Sequence, residues 1–244
     1  MIKIVQAKDL TSKQLSQLHS ILQDGWESPK QVMNSWQDII ETYCFIIEKE
    51  QISAVGSWAV HELKDKNYDI GIYLALFAVS KNAQGRGFGT KITLLSFLYS
   101  FKQVQKKYGL GKRLLYWGVS ANPIVIQAYL KNFPFYITPN LDGTYDKSYI
   151  SVGRKLVSWL DKEQFISTNN PFLLKKCVKH SFTHKEIKIQ KNYIKKLGSK
   201  FNVDLKVEDN DRLLIILGSF STPFGFFKLY PLYLFLSFKK LFKL

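Results

Sequence analysis

Val79-Ser80-Lys81-Asn82-Ala83-Gln84-Gly85-Arg86-Gly87-Phe88-Gly89-Thr90 lies between two stretches of different periodicity. Ahead of it, Tyr68 to Val79 is a mostly apolar run rich in strand formers. Behind it, Ile92, Leu94, Leu95, Leu98, Phe101 and Val104 recur at helical spacing toward Gly109 and Gly111, with Lys106 and Lys107 suited to the helix C-terminus. A strand that stops just before a helix leaves backbone N–H groups at the helix start without partners, and glycines let that backbone close on a ligand. Phosphate oxygens can collect those hydrogen bonds together with the favourable end of the helix dipole, and Arg86 adds a positive charge nearby.

A Gly-x-Gly-x-Gly run also serves as an ordinary turn, so its surroundings must decide. The P-loop ending Gly-Lys-Ser/Thr is missing. The dinucleotide fingerprint needs an acidic residue about 20 positions further on, and residues 101–112 contain neither Asp nor Glu.

Working outward, Ile2 to Val5 reads as a strand, and Thr11 offers an N-cap to a helix with Leu15, Leu18, Ile21 and Leu22 on one face, ending at Gly25. Pro29 opens a second helix with Val32, Trp36, Ile39 and Ile40, and strands follow at 43–47 and 52–60. Past the glycines and their helix, Leu114 to Val119 is a strand, and Pro123 opens a helix to about Asn132. Phe135 to Thr138 and Tyr149 to Val157 are expected to be the last two strands, so that the sheet is complete by about residue 160. Beyond it, residues 175–200 suit one or two helices, and residues 201–207 and 213–217 flank an acidic turn as a plausible hairpin.

Two motifs in this order resemble the GNAT superfamily of N-acetyltransferases. Its pyrophosphate loop, Gln/Arg-x-x-Gly-x-Gly/Ala, is matched by Gln84, Gly87 and Gly89, and its Asn, Tyr and Lys after the next strand are matched by Asn122, Tyr129 and Lys131. The resemblance covers roughly residues 1–157. It implies an α/β (α+β) fold with a mixed, mostly antiparallel sheet flanked by helices over 1–160, and leaves 161–244 as a smaller basic, aromatic-rich C-terminal region of unknown role.

It also implies acetyl-CoA or another acyl-CoA as co-substrate. Phe77, Ala78 and Val79 would pair with the pantetheine arm, Gln84, Gly85, Arg86, Gly87, Phe88, Gly89 and Thr90 would hold pyrophosphate, and Asn122 would also bind the cofactor. Direct attack by an acceptor amine makes Tyr129 the general acid for the departing sulfur, since a phenol with a pKa near about 10 is protonated at neutral pH. The family's glutamate before the loop is replaced by Tyr73, which leaves Asp69 and Glu62 as substitutes for a base, directly or through water, although each reads first as a solvent-facing charge. His19 and His61 receive no role. The Phe133-Pro134 pair departs from the family's Gly-Phe and alters the turn expected there. That missing carboxylate also motivates an alternative of another class, a CoA-binding or membrane-associated protein that keeps the fold without turnover.

Composition bounds the partners. Lys and Arg outnumber Asp and Glu by 35 to 19 among 244 residues, most densely after residue 160, which suits a phosphorylated cofactor, nucleic acid or an anionic surface. No nucleic-acid motif accompanies the charge, and nucleic acid is the least favoured partner. Cys44 and Cys177 are too far apart in sequence and lack the companions of a metal site, and a start without an apolar leader gives a cytoplasmic expectation. Pro223, Gly225 and Pro231 interrupt the apolar C-terminal run, so it reads as docking rather than spanning. Lys228, Lys239, Lys240 and Lys243 among Phe and Tyr suit an anionic membrane surface, with the chain peripheral to it; the same pattern would also suit aromatics covering the sheet.

Overall fold

The computed structural model describes residues 1–126, 138–178 and 181–221. The chain forms a mixed α/β fold around a seven-stranded sheet of order β1-β2-β3-β4-β5-β7-β6. Its strands are β1 (Ile2–Gln6), β2 (Thr42–Glu48), β3 (Gln51–Glu62), β4 (Ile70–Val79), β5 (Arg113–Ser120), β6 (Leu173–Leu174) and β7 (Arg212–Ser221). All neighbours are antiparallel except β4 and β5.

The period of 2 along the strands assigns the two faces. Tyr43 and Phe45 of β2 join a cluster with Leu18, Leu22 and Val32, from α1 (Ser12–Gln23) and α2 (Pro29–Gln37). Cys44 and Ile46 join Ile92, Phe97 and Phe101 from α3 (Phe88–Tyr108) on the other face. Helix α1 begins with a reciprocal capping box between Thr11 and Gln14, and Pro29 stands in the first turn of α2.

Three expectations are corrected. Residues 149–157 are not a strand: α4 (Ile150–Trp159) runs there, burying Val152, Gly153, Leu156 and Val157, a spacing that belongs to one helix face. The sheet is not complete by residue 160, because β7 pairs with β5 along its length, from Arg113↔Ser221 to Ser120↔Leu213. Leu213–Leu217 are all fully buried, as a central strand covered on both faces requires. Residues 201–206 form no strand, so the expected hairpin is absent and β7 takes β5 and β6 as partners instead. Of the strand expected at 135–138, Thr138 makes an isolated bridge to Ile216, and the rest lies outside the described residues.

A further helix, α5 (His184–Leu197), is capped by Thr183, whose hydroxyl accepts from the Glu186 N–H. Among the described residues no helix is long and apolar enough to cross a membrane. The basic, aromatic segment from Lys228 onward lies outside the described residues.

Candidate active site

β4 and β5 pair from Ile70↔Leu114 to Leu74↔Gly118 and then part. Beyond that point Phe77, Ala78 and Val79 pair with β3, while Val119 and Ser120 pair with β7. Two devices set the fork. A Cβ on Gly118 would stand 2.9 Å from the Leu74 carbonyl oxygen, so only glycine allows the strands this close at the branch. On the other side of β4, Ser57 is squeezed out at a bulge in β3, and its buried hydroxyl accepts the Leu76 N–H at 2.9 Å.

The opening is a cleft of about 250 Å³. Phe77, Ala78, Val79, Gln84 and Asn122 lie together on its lining. Gln84 donates to the Val79 carbonyl at 3.4 Å, and the loop then turns through Gly85 and Gly87, both with φ of 75°, a left-handed conformation that favours glycine. Gly87 is the N-cap of α3 and supplies no side-chain acceptor. The first helical bond there is Lys91 N–H to the Gly87 carbonyl, so the N–H groups of the first turn, Phe88 to Thr90, have no acceptor within the helix. Gly89 leaves that turn open: a Cβ placed there would meet Val79 first, at 4.0 Å. Arg86 is turned away, donating to Glu48 at 2.8 Å with its guanidinium 4.8 Å from the Phe88 ring centre. The same contact, foremost among several, holds the Glu48 carboxyl below its usual range.

The opposite wall comes from segments distant in the chain. Asn122 caps the helical turn at 123–126 by accepting the Ile124 N–H at 2.9 Å, and its amide donates to Glu186 at 3.3 Å. Glu186 also accepts from Gln190 at 2.9 Å. Arg212, at the start of β7, lines the same cleft while only 6% exposed. The chain from 181 to 183 crosses to the end of α1: Glu27 N–H donates to Ser181, Thr183 N–H donates to Gly25, and Phe182 rests 5.3 Å from Trp26. No local pattern in the sequence places the start of α5 or of β7 at the site; the Thr183-x-x-Glu186 spacing signals a helix start, but nothing local says what that helix faces.

The carboxylates considered as bases are elsewhere. Asp69 precedes β4, at the end away from the fork, and is clamped by Arg113, whose bonds hold its carboxyl down to about 2. Glu62 pairs in register with Ile70 at that same end. Tyr73 is a core aromatic, 4.5 Å from Trp117, with its phenol pushed up by burial. Tyr129 and Lys131 lie outside the described residues. The carboxylates on the cleft lining are Glu186 and Asp24.

No family model matches the chain and no curated protein matches it. Among solved structures it is similar to an acetyltransferase from Bacillus subtilis in complex with CoA, at 17% identity over 60% of this chain and 85% of that one, with a TM-score of 0.38. An acyl-CoA N-acyltransferase from Pseudomonas aeruginosa gives 12% identity over 58% and 91%, with a TM-score of 0.41. The ribosomal-protein-S18-alanine N-acetyltransferase from Escherichia coli gives 16% over 57% and 83%, with a TM-score of 0.36. Three further similar structures are described as of the GNAT family.

Proposed function

We propose that the chain transfers an acyl group, acetyl by default, from acyl-CoA to an amine by direct attack. The observation that carries this reading is the fork between β4 and β5 opening beside a glycine-shaped helix start. A thioester's pantetheine arm would lie along Phe77 to Val79, and its pyrophosphate would meet the N–H groups at Gly87 to Thr90. Arg86 would leave Glu48 for phosphate at small cost, because an exposed ion pair is screened by solvent and contributes little. In the reaction the amine nitrogen forms a bond to the thioester carbon, the C–S bond breaks, and the thiolate takes a proton, for which Tyr129 is our candidate. Glu186 is our candidate to receive the amine proton, because it lines the cleft and Asn122 and Gln190 hold its carboxylate in place.

Calorimetric titration with acetyl-CoA and with CoA tests the reading. Wild type should bind both saturably. Gly87→Val, which forces a branched side chain into a left-handed conformation, should weaken binding by roughly a hundredfold if two or more charge-assisted bonds are lost. Gly89→Leu, whose Cβ would come no nearer than 4.0 Å to another atom, should keep the melting temperature and still lose affinity. Failure of wild type to bind either ligand would sink the proposal.

A further inference from the structure

Arg212 is a cation buried on the lining of the cleft. Its Nη1 donates to the Asp211 carbonyl at 2.8 Å, and its guanidinium carbon stands 5.1 Å from the Phe182 ring centre. Among the described residues no carboxylate forms an ion pair with it: the Asp211 carboxylate accepts from Lys175 Nζ and from the Lys176 and Lys206 N–H groups instead. Burial holds its pKa down to about 10. A guanidinium out of water with one neutral bond, one aromatic face and the field of an Asp211 carboxylate already paired with Lys175 is poorly compensated, and a buried charge persists where a partner of opposite sign completes it. That partner would enter from the cleft.

We propose that Arg212 receives a carboxylate carried by the acceptor, so that the amine acylated here belongs to an amino acid or a molecule built like one. The inference rests on the acyltransferase reading for its amine half only. With Nη1 engaged, Nε and Nη2 make no hydrogen bond among the described residues and form a two-donor edge that matches a carboxylate's two oxygens. A phosphate dianion fits less well, since Glu186 shares the lining and would repel it. Glu186 and Asp24 supply the negative counterpart that an ammonium group needs, giving the cleft both signs of a zwitterion.

The test compares the standard amino acids with their α-amides, as stabilisation of the protein against heat with and without acetyl-CoA, and then as thiol release from acetyl-CoA. At least one acid should bind wild type roughly 10- to 100-fold more tightly than its amide, the range for a hydrogen-bonded charge pair. Arg212→Gln should erase that difference and leave acetyl-CoA binding unchanged. Its own melting temperature should be no lower than wild type's, whereas a structural arginine would take stability with it. Amides binding as well as acids, or no acid binding at all, would overturn the assignment, and both are read on wild type even if the variant does not fold. Absence of acetyl-CoA binding would remove the acyltransferase reading alone, because the acid–amide comparison without acetyl-CoA still decides for or against Arg212.

Discussion

The seam between β4 and β5 behaves differently in its two halves. From Ile70 to Leu74 the strands are hydrogen-bonded neighbours, and aromatic side chains close the space around them: Tyr73 lies against Trp117, and His61 stacks on Trp159 at 4.1 Å. From Ala75 to Val79 the same strand has lost that neighbour, and the space beside it is lined by Gln84, Asn122, Glu186 and Arg212. The closed half holds two strands together so that the open half can hold them apart. At the cleft there is a second contrast, between the β4 backbone with the glycine loop that follows Gln84 on one side and a wall carrying the charged side chains Glu186 and Arg212 on the other.

The largest effect is expected where the halves meet. Gly118→Ala would press a methyl group against the Leu74 carbonyl oxygen, which belongs to backbone and cannot swing aside. We expect a loss of about 3 kcal/mol in urea unfolding, at the top of the usual range for overpacked cores because the obstacle is backbone, together with weakened acetyl-CoA binding. Unchanged stability and affinity would show that the close approach at Gly118 does not set the fork.

The contrast between the walls also explains what the sequence disclosed. Gln84, Gly85, Gly87 and Gly89 fall within one short window, and the role proposed for them rests on backbone conformation, so the pattern is local and readable. Likewise, β1 to β5 and α1 to α3 each announce themselves by periodicity, caps and breakers within one window. Arg212 is brought to the cleft by β7 inserting between β5 and β6, a pairing between segments about a hundred residues apart, and Glu186 follows a segment at 181–183 that bonds to the end of α1; no local pattern encodes either. The misread at 149–157 has a different cause. Tyr149, Ile150, Val152 and Val157 carry strand propensity, but the buried pairs Val152/Gly153 and Leu156/Val157 repeat every four residues, and burial of that face outweighs propensity.

In the closed half, acid should act through His61. Its ring lies across Gly71, where any Cβ would meet Nε2, and Nε2 accepts from the Trp117 indole at 3.2 Å. Burial holds its pKa down to about 4, below the ordinary value of 6.5. The unfolded chain therefore binds a proton below pH 6.5 that the folded chain refuses until about pH 4, so stability is intact above 6.5 and falls as pH drops through that window. The loss should be on the order of 3 kcal/mol for wild type relative to His61→Gln. Parallel pH profiles for the two proteins between 6.5 and 4 would refute a buried neutral imidazole.

The smallest effect belongs to the open half and bears on how ready the backbone wall is for an anion. Arg86 is engaged by Glu48, and both side chains are substantially exposed, at 52% and 36%. Glu48→Gln would release the guanidinium and remove a negative charge near the loop without touching buried structure. Because the pair is exposed and screened, acetyl-CoA should bind only roughly two- to fivefold more tightly, and the gain should fade in high salt over a Debye length of about 10 Å at 0.1 M. A salt-independent gain would point to a change in loop shape, and weaker binding would mean that Glu48 positions Arg86 for the ligand instead of withholding it. In that case the charge on this wall would be as preorganised as Arg212 is on the other, and the division into a backbone wall and a side-chain wall would no longer hold.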